Sequence, residues 1–92
     1  SDNVNIVWTK IGNFEITEPF IVHFNEPGRF NSIDFDYKEK SIFFETIENH
    51  GTVTFSGVIK NVLVDDQNYS NFNGNTLNTL EGKHSYKVTL ID

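Results

Sequence analysis

Residues Asn31–Ile47 read NSIDFDYKEKSIFFETI, and this one stretch carries the pattern of two strands and their connection. Over Asn31–Tyr37, Ile33, Phe35 and Tyr37 fall on one face, while Ser32, Asp34 and Asp36 fall on the other. Alternation with a period of two marks a half-buried β-strand, because successive side chains point to opposite faces. Ser41–Ile47 reads as the second strand, after Lys38-Glu39-Lys40. A tight loop at Lys38-Glu39 or at Glu39-Lys40 keeps Ile33 and Phe35 on the same face as Ile42 and Phe44, and this agreement of parity supports a hairpin. The loop residues are neither Gly nor Asn, so a slightly longer type I loop is an equal alternative. The same pairing leaves Phe43 and Ile47 beside Asp34 and Asp36, so that face is not cleanly polar. It is either covered by a second layer, as stacked layers around one core would predict, or a surface for a partner.

The flanking sequence continues the pattern. Val4–Ile11 alternates, with Val4, Ile6 and Trp8 together, and Gly12-Asn13 reads as a turn. Phe14–Thr17 is expected as a short strand stopped before Pro19, and Phe20–Phe24 as another, followed by a turn at Asn25-Glu26-Pro27-Gly28. After a turn at Asn49-His50-Gly51, Thr52–Val64 is long for one strand, and Gly57 in its middle marks a bulge or sharp bend. Val58, Ile59, Val62, Leu63 and Val64 put apolar groups on both faces, which suits a central strand buried on two sides. Gly82 precedes Ser85–Ile91, where Tyr86, Val88 and Leu90 point inward. No segment sustains a helical period, and the chain contains no Ala. The expected fold is all-β: a small antiparallel β-sandwich or partly open barrel of about six to seven strands.

Composition narrows the functional classes. The 92 residues suit one domain, with 37% hydrophobic and 22% charged residues, too apolar for disorder. No run reaches the ~18 apolar residues needed to span a bilayer. The absence of Cys removes disulfides, thiolate metal sites and cysteine nucleophiles; it slightly favours a reducing, cytoplasmic setting, with the cell surface or secretion as alternatives. A net charge of −6 disfavours phosphate backbones and anionic membranes and makes a basic protein surface the easier partner.

Asp65–Asn78, DDQNYSNFNGNTLN, reads as a long polar connection between Val58–Val64 and Ser85–Ile91. Connections of this length in a compact domain are commonly functional or disordered. Asp65, Asp66, Asn68, Asn71, Asn73 and Asn75 offer oxygens at near-alternate spacing, but the sixth position from Asp66 is Asn71 rather than Gly, and no Glu closes the loop, so no metal site is expected. Tyr69 and Phe72 are candidates either for a contact patch or for a lid folded onto the core. Asn68-Tyr69-Ser70 matches the short glycosylation sequon.

Elsewhere the chemistry is sparse. Asp34 and Asp36 lack the cleft that would separate their pKa values for acid–base work, and cross-strand pairing with Lys38 and Lys40 is the ordinary expectation. His23, His50 and His84 have no partner at metal-ligand spacing. Phe55-Ser56-Gly57 lacks the first glycine of a nucleophile elbow. No cofactor motif is present, and the chain is not expected to be an enzyme. The reading is a non-catalytic protein-binding domain, such as a bacterial or phage inhibitor or immunity-type protein, with Asp34, Asp36, Phe43, Asp65, Asp66, Tyr69, Asn71, Phe72 and Asn73 as the contact residues. The alternative is a carbohydrate-binding or adhesive module of a larger surface protein, using Trp8 or exposed tyrosines.

Overall fold

The computed structural model describes residues 4–11, 14–24, 30–36, 38–47 and 51–91, with side chains described for Val22 and for residues 34–36, 38–47 and 51–91. The turns at Gly12-Asn13 and Asn25–Gly28, the side chain of Trp8, and Tyr37, Asn49 and His50 lie outside the described residues. The described residues are all-β and form ten strands: β1 Val4–Ile11, β2 Phe14–Phe24, β3 Phe30–Asp36, β4 Ser41–Thr46, β5 Gly51–Phe55, β6 Ile59–Val64, β7 Gln67–Tyr69, β8 Phe72–Asn73, β9 Thr76–Thr79 and β10 His84–Leu90.

These strands make two antiparallel sheets of five, ordered β1-β2-β5-β9-β8 and β3-β4-β10-β6-β7. Neither sheet closes on itself, so the architecture is a sandwich rather than a barrel. Each sheet is two hairpins flanking one central strand, β5 in the first and β10 in the second. The hairpin read from Asn31–Ile47 is present with the expected parity: Ile33 pairs with Phe44 and Phe35 with Ile42. Its loop is longer than a tight turn, because Asp36 pairs with Ser41. The Asp36 carboxylate closes that loop by accepting the Lys38 and Glu39 N–H groups at 3.0 and 3.2 Å, and Lys40 takes a left-handed φ of 52°. An aspartate that bonds the backbone two residues on stabilises a turn without any glycine.

Alternation across the second sheet builds the core directly. One inward row runs Phe35–Ile42–Val88–Val62–Tyr69, fully buried at its centre and half-buried at both ends. The next inward row stacks Phe44 on Tyr86 with ring centroids 4.8 Å apart, an arrangement that adds to the area the rings remove from water. From the first sheet come Val22, Val53, Phe55 and Leu77.

Three sequence expectations change. Phe14–Phe24 is one strand, not two; the β1–β2 register breaks between Trp8 and Lys10, so Pro19 falls in an irregular stretch, where a missing N–H costs no ladder bond. The sharp bend read at Gly57 is present and carries the chain from β5 in the first sheet to β6 in the second, but Val58–Val64 is not buried on two sides, since Val58, Lys60 and Asn61 are exposed. A Cβ at Gly57 would lie 3.2 Å from the Leu90 Cδ1, so the crossover runs close over the core. Asp65–Asn78 is not a structureless loop. It holds β7, β8 and most of β9, which is why the strand count exceeds six to seven.

Two tight turns organise that segment. Asp65 and Asp66 both have left-handed φ, 51° and 66°, the signature of a type I′ turn joining β6 to β7. Gly74, with φ 59°, occupies the first central position of the β8–β9 hairpin, as a type II′ turn requires, and Asn73 pairs with Thr76 across it. Both turn types match the natural twist of the strands they join, so short, asparagine-rich strands can still pair.

Candidate functional site

The polar groups of Asp65–Asn78 are largely occupied in holding the fold. The Asp65 Oδ1 accepts the Ser85 N–H at 2.9 Å, and its Oδ2 lies 2.7 Å from the His84 Nδ1. These bonds, the His84 side chain first and the Ser85 backbone second, hold the Asp65 carboxyl below its ordinary value of 3.8. The other ring nitrogen of His84 faces the Glu81 carbonyl at 3.1 Å. Asn71 accepts the Asn78 N–H at 3.1 Å and its side-chain amide at 3.0 Å. The Asn75 amide donates to the Phe55 carbonyl at 3.1 Å. The near-alternate oxygens therefore scatter over two hairpins. Among the described residues, no three acidic or histidine side chains gather into a metal-binding group.

Tyr69 and Phe72 both pack against the core, and the Tyr69 hydroxyl donates to the Asn78 carbonyl at 2.5 Å, tying β7 of one sheet to β9 of the other. They also line an open groove with Asn61, Val62, Asn68 and Ser70. The groove forms because β6 has 6 residues and β7 only 3, so β6 outlasts its partner just where the chain crosses between sheets. Asp66 and Asn73 are exposed in the two turns.

The described outward positions of the two sheets differ sharply. On the first, the described outward positions are Thr52 beside Asn78, and Thr54 beside Thr76 and then Asn73. This is a neutral, polar surface. On the second, one outward row crosses the whole sheet as Asp34–Phe43–Lys87–Leu63–Asn68. Phe43 is 39% exposed, with the Lys87 ammonium 5.3 Å from its ring centroid. Lys87 also pairs with Glu39 at 3.7 Å, and Lys83 with Glu45 at 3.8 Å. The expectation that a second layer covers part of this face fails at Phe43: the ring stays 39% exposed with the Lys87 ammonium beside it, although Ser41 on the same face is buried.

The expected pairing of Asp34 and Asp36 with Lys38 and Lys40 is also corrected. Asp34 lies opposite Phe43 and Asp36 opposite Ser41, because the loop is long enough to keep the lysines out of the strand register. Asp36 is engaged with the turn N–H groups, whereas Asp34 is exposed and has no hydrogen bond or ion pair to a described residue. The sequence-derived candidates therefore separate into three groups. Asp34, Asp36 and Phe43 cluster on one face; Asp65, Tyr69, Asn71 and Phe72 hold the fold together; Asp66 and Asn73 are exposed at the two turns. The sequence-derived contact residues omit Lys87 and Leu63, although the parity of Ser85–Ile91 already turns Lys87 outward.

No helix among the described residues is long and apolar enough to cross a membrane. The architecture and surface define a small two-sheet antiparallel β-sandwich with one mixed aromatic and acidic face. Comparison with protein-family models, with curated proteins and with solved structures found no match. Its function is therefore read from the chemistry of that face.

Proposed function

We infer that the protein is a non-catalytic binding domain that engages a basic protein partner through the outer face of β3, β4 and β10, as a small acidic inhibitor or immunity-type protein does. The carrying observation is Phe43: an aromatic ring 39% exposed in the interior of a sheet face, flanked by Asp34, which has no ion pair to a described residue. Exposed rings of this kind serve as anchors at interfaces, and charges at the rim steer the encounter. The chain's net charge of −6 adds long-range attraction for a basic surface. Affinity capture from a native lysate tests the reading. Wild-type protein is expected to retain a partner that Phe43→Ala loses, with association slowed by added salt; equal capture by the variant would sink the assignment.

A second reading, carbohydrate binding, is favoured by the groove alone. All six of its lining residues (Asn61, Val62, Asn68, Tyr69, Ser70 and Phe72) are uncharged, and the exposed amides of Asn61 and Asn68 flank half-buried rings. Amides suit hydroxyls and rings suit the apolar face of a sugar. Amide chemical-shift titration with neutral monosaccharides tests it, and shifts absent from residues 61–72 at tens of millimolar sugar would dismiss it.

A further inference from the structure

We propose that the free edge of β3 takes up an extended basic segment of the partner as a sixth strand of the second sheet, with cations set against Asp34 and Asp36 and an apolar residue against Phe35. This inference rests on the protein-binding reading above and names the form the partner takes.

The edge is long enough, and among the described strands β3 is paired with β4 alone, at the end of the sheet, so its other side is the template for another strand. Its register with β4 is regular from Ser32 to Asp36, and the irregularity sits before it, between Phe30 and Ser32. The strand reads FNSIDFD, with neither Pro nor Lys to blunt it. The edges at the opposite side of the sandwich offer much less: β7 has 3 residues and β8 has 2.

The side chains specify the occupant. Asp34 and Asp36 are two positions apart, exposed, and on the outer face; Phe35 between them is half-buried and packs against the core. An added strand therefore presents outward residues directly opposite the two carboxylates and an inward residue opposite Phe35. Opposite charges at such cross-strand positions are favourable and like charges unfavourable. Asp34 lacks a described partner, and Asp36 spends Oδ1 on the turn. Two copies of this chain pairing edge to edge would bring aspartates against aspartates, so the edge resists self-association while remaining open to a strand alternating basic and apolar residues. The outward row continues from Asp34 to the exposed Phe43, so a long cationic side chain laid inward from the new strand reaches the aromatic ring as well.

The test uses the full chain and a short, capped peptide alternating lysine and valine. Amide shifts on titration are expected to concentrate in Phe30–Thr46. Placing N-methyl groups on alternate peptide nitrogens should abolish binding on the methylated edge, since β-addition depends on backbone bonds. A double variant, Asp34→Lys with Asp36→Lys, should lose the lysine peptide by at least about tenfold and gain a glutamate–valine peptide instead. Undiminished binding of the N-methylated peptides, or shifts lying outside β3 and β4, overturns the edge assignment. Failure of the peptide while Phe43-dependent capture persists overturns the edge and leaves the face reading standing. Failure of capture by the wild type removes the face reading itself.

Discussion

Replacing Tyr69 by Phe removes one hydroxyl, and the structure says what that hydroxyl holds. Tyr69 sits in β7 of the second sheet and donates to the Asn78 carbonyl in β9 of the first at 2.5 Å, while its ring packs against the core. A hydrogen bond of this kind has a net worth of about 0.5–1.5 kcal/mol. For a chain of 92 residues, each kcal/mol moves the melting temperature by about 4–8 °C, so Tyr69→Phe should lower it by roughly that much. Tyr69→Ala also strips the half-buried ring. Full burial of such a ring is worth about 3–5 kcal/mol, so half of it plus the lost bond comes to roughly 2–4 kcal/mol, or a fall of about 10–30 °C. Thermal melts followed by circular dichroism at fixed pH and salt measure both. Melting within about 2 °C of wild type for both variants would show that Tyr69 is not a tie between the sheets and would return Asp65–Asn78 to the role of a free loop.

Three further outcomes follow from the same geometry. Phe43→Ala loses a cation–π contact worth at most about 1 kcal/mol together with the buried part of its ring, and should still cost less in urea unfolding than Ile42→Ala beside it, 0% exposed, at about 2–5 kcal/mol; a loss at Phe43 equal to or above that at Ile42 would place Phe43 in the core. Asp66→Gly relieves a left-handed φ of 66° in a turn that favours glycine at its second central position, and should gain up to about 1 kcal/mol, read as a raised denaturant midpoint. Because the folded Asp65 carboxyl is held below 3.8, its stabilisation is complete above that pH and is lost as pH falls through the lower folded value. The gap in melting temperature between wild type and Asp65→Asn should therefore be full near neutrality and close in acid, and a gap that widens below pH 3.8 would contradict the bonding seen here.

The parts of the fold that alternate strongly are readable from local pattern alone. Ile33–Phe35 against Ile42–Phe44 gave the hairpin, and Tyr86, Val88 and Leu90 gave the inward face of β10, because burial of one face forces that parity. Phe43 was legible as the residue out of place on the polar face for the same reason. Gln67–Tyr69 and Phe72–Asn73 were not legible, since strands of three and two residues carry no period, and their asparagines have low strand propensity. Their pairing is set by β6 and β9, with turn chemistry doing the closing. The Gly74-Asn75 pair was a local clue to that hairpin; the left-handed Asp65-Asp66 turn was a weaker one. Val58–Val64 reads as buried on two sides because its apolar run includes Val58, which is 50% exposed and sits at the crossover beside Ile91. The Asp65–His84 pair spans sequence-distant turns, and no local pattern announces it.

The central claim is that the face of β3 and β4 makes contact with a partner while Asp65–Asn78 holds the sheets together. Hydrogen–deuterium exchange of the chain, free and bound to a captured partner, addresses both halves at once. Protection gained on binding is expected across Phe30–Thr46, with Gln67–Thr79 already protected in the free protein and unchanged. Fast exchange of Gln67–Thr79 in the free chain, with protection on binding confined to that segment, would contradict the account.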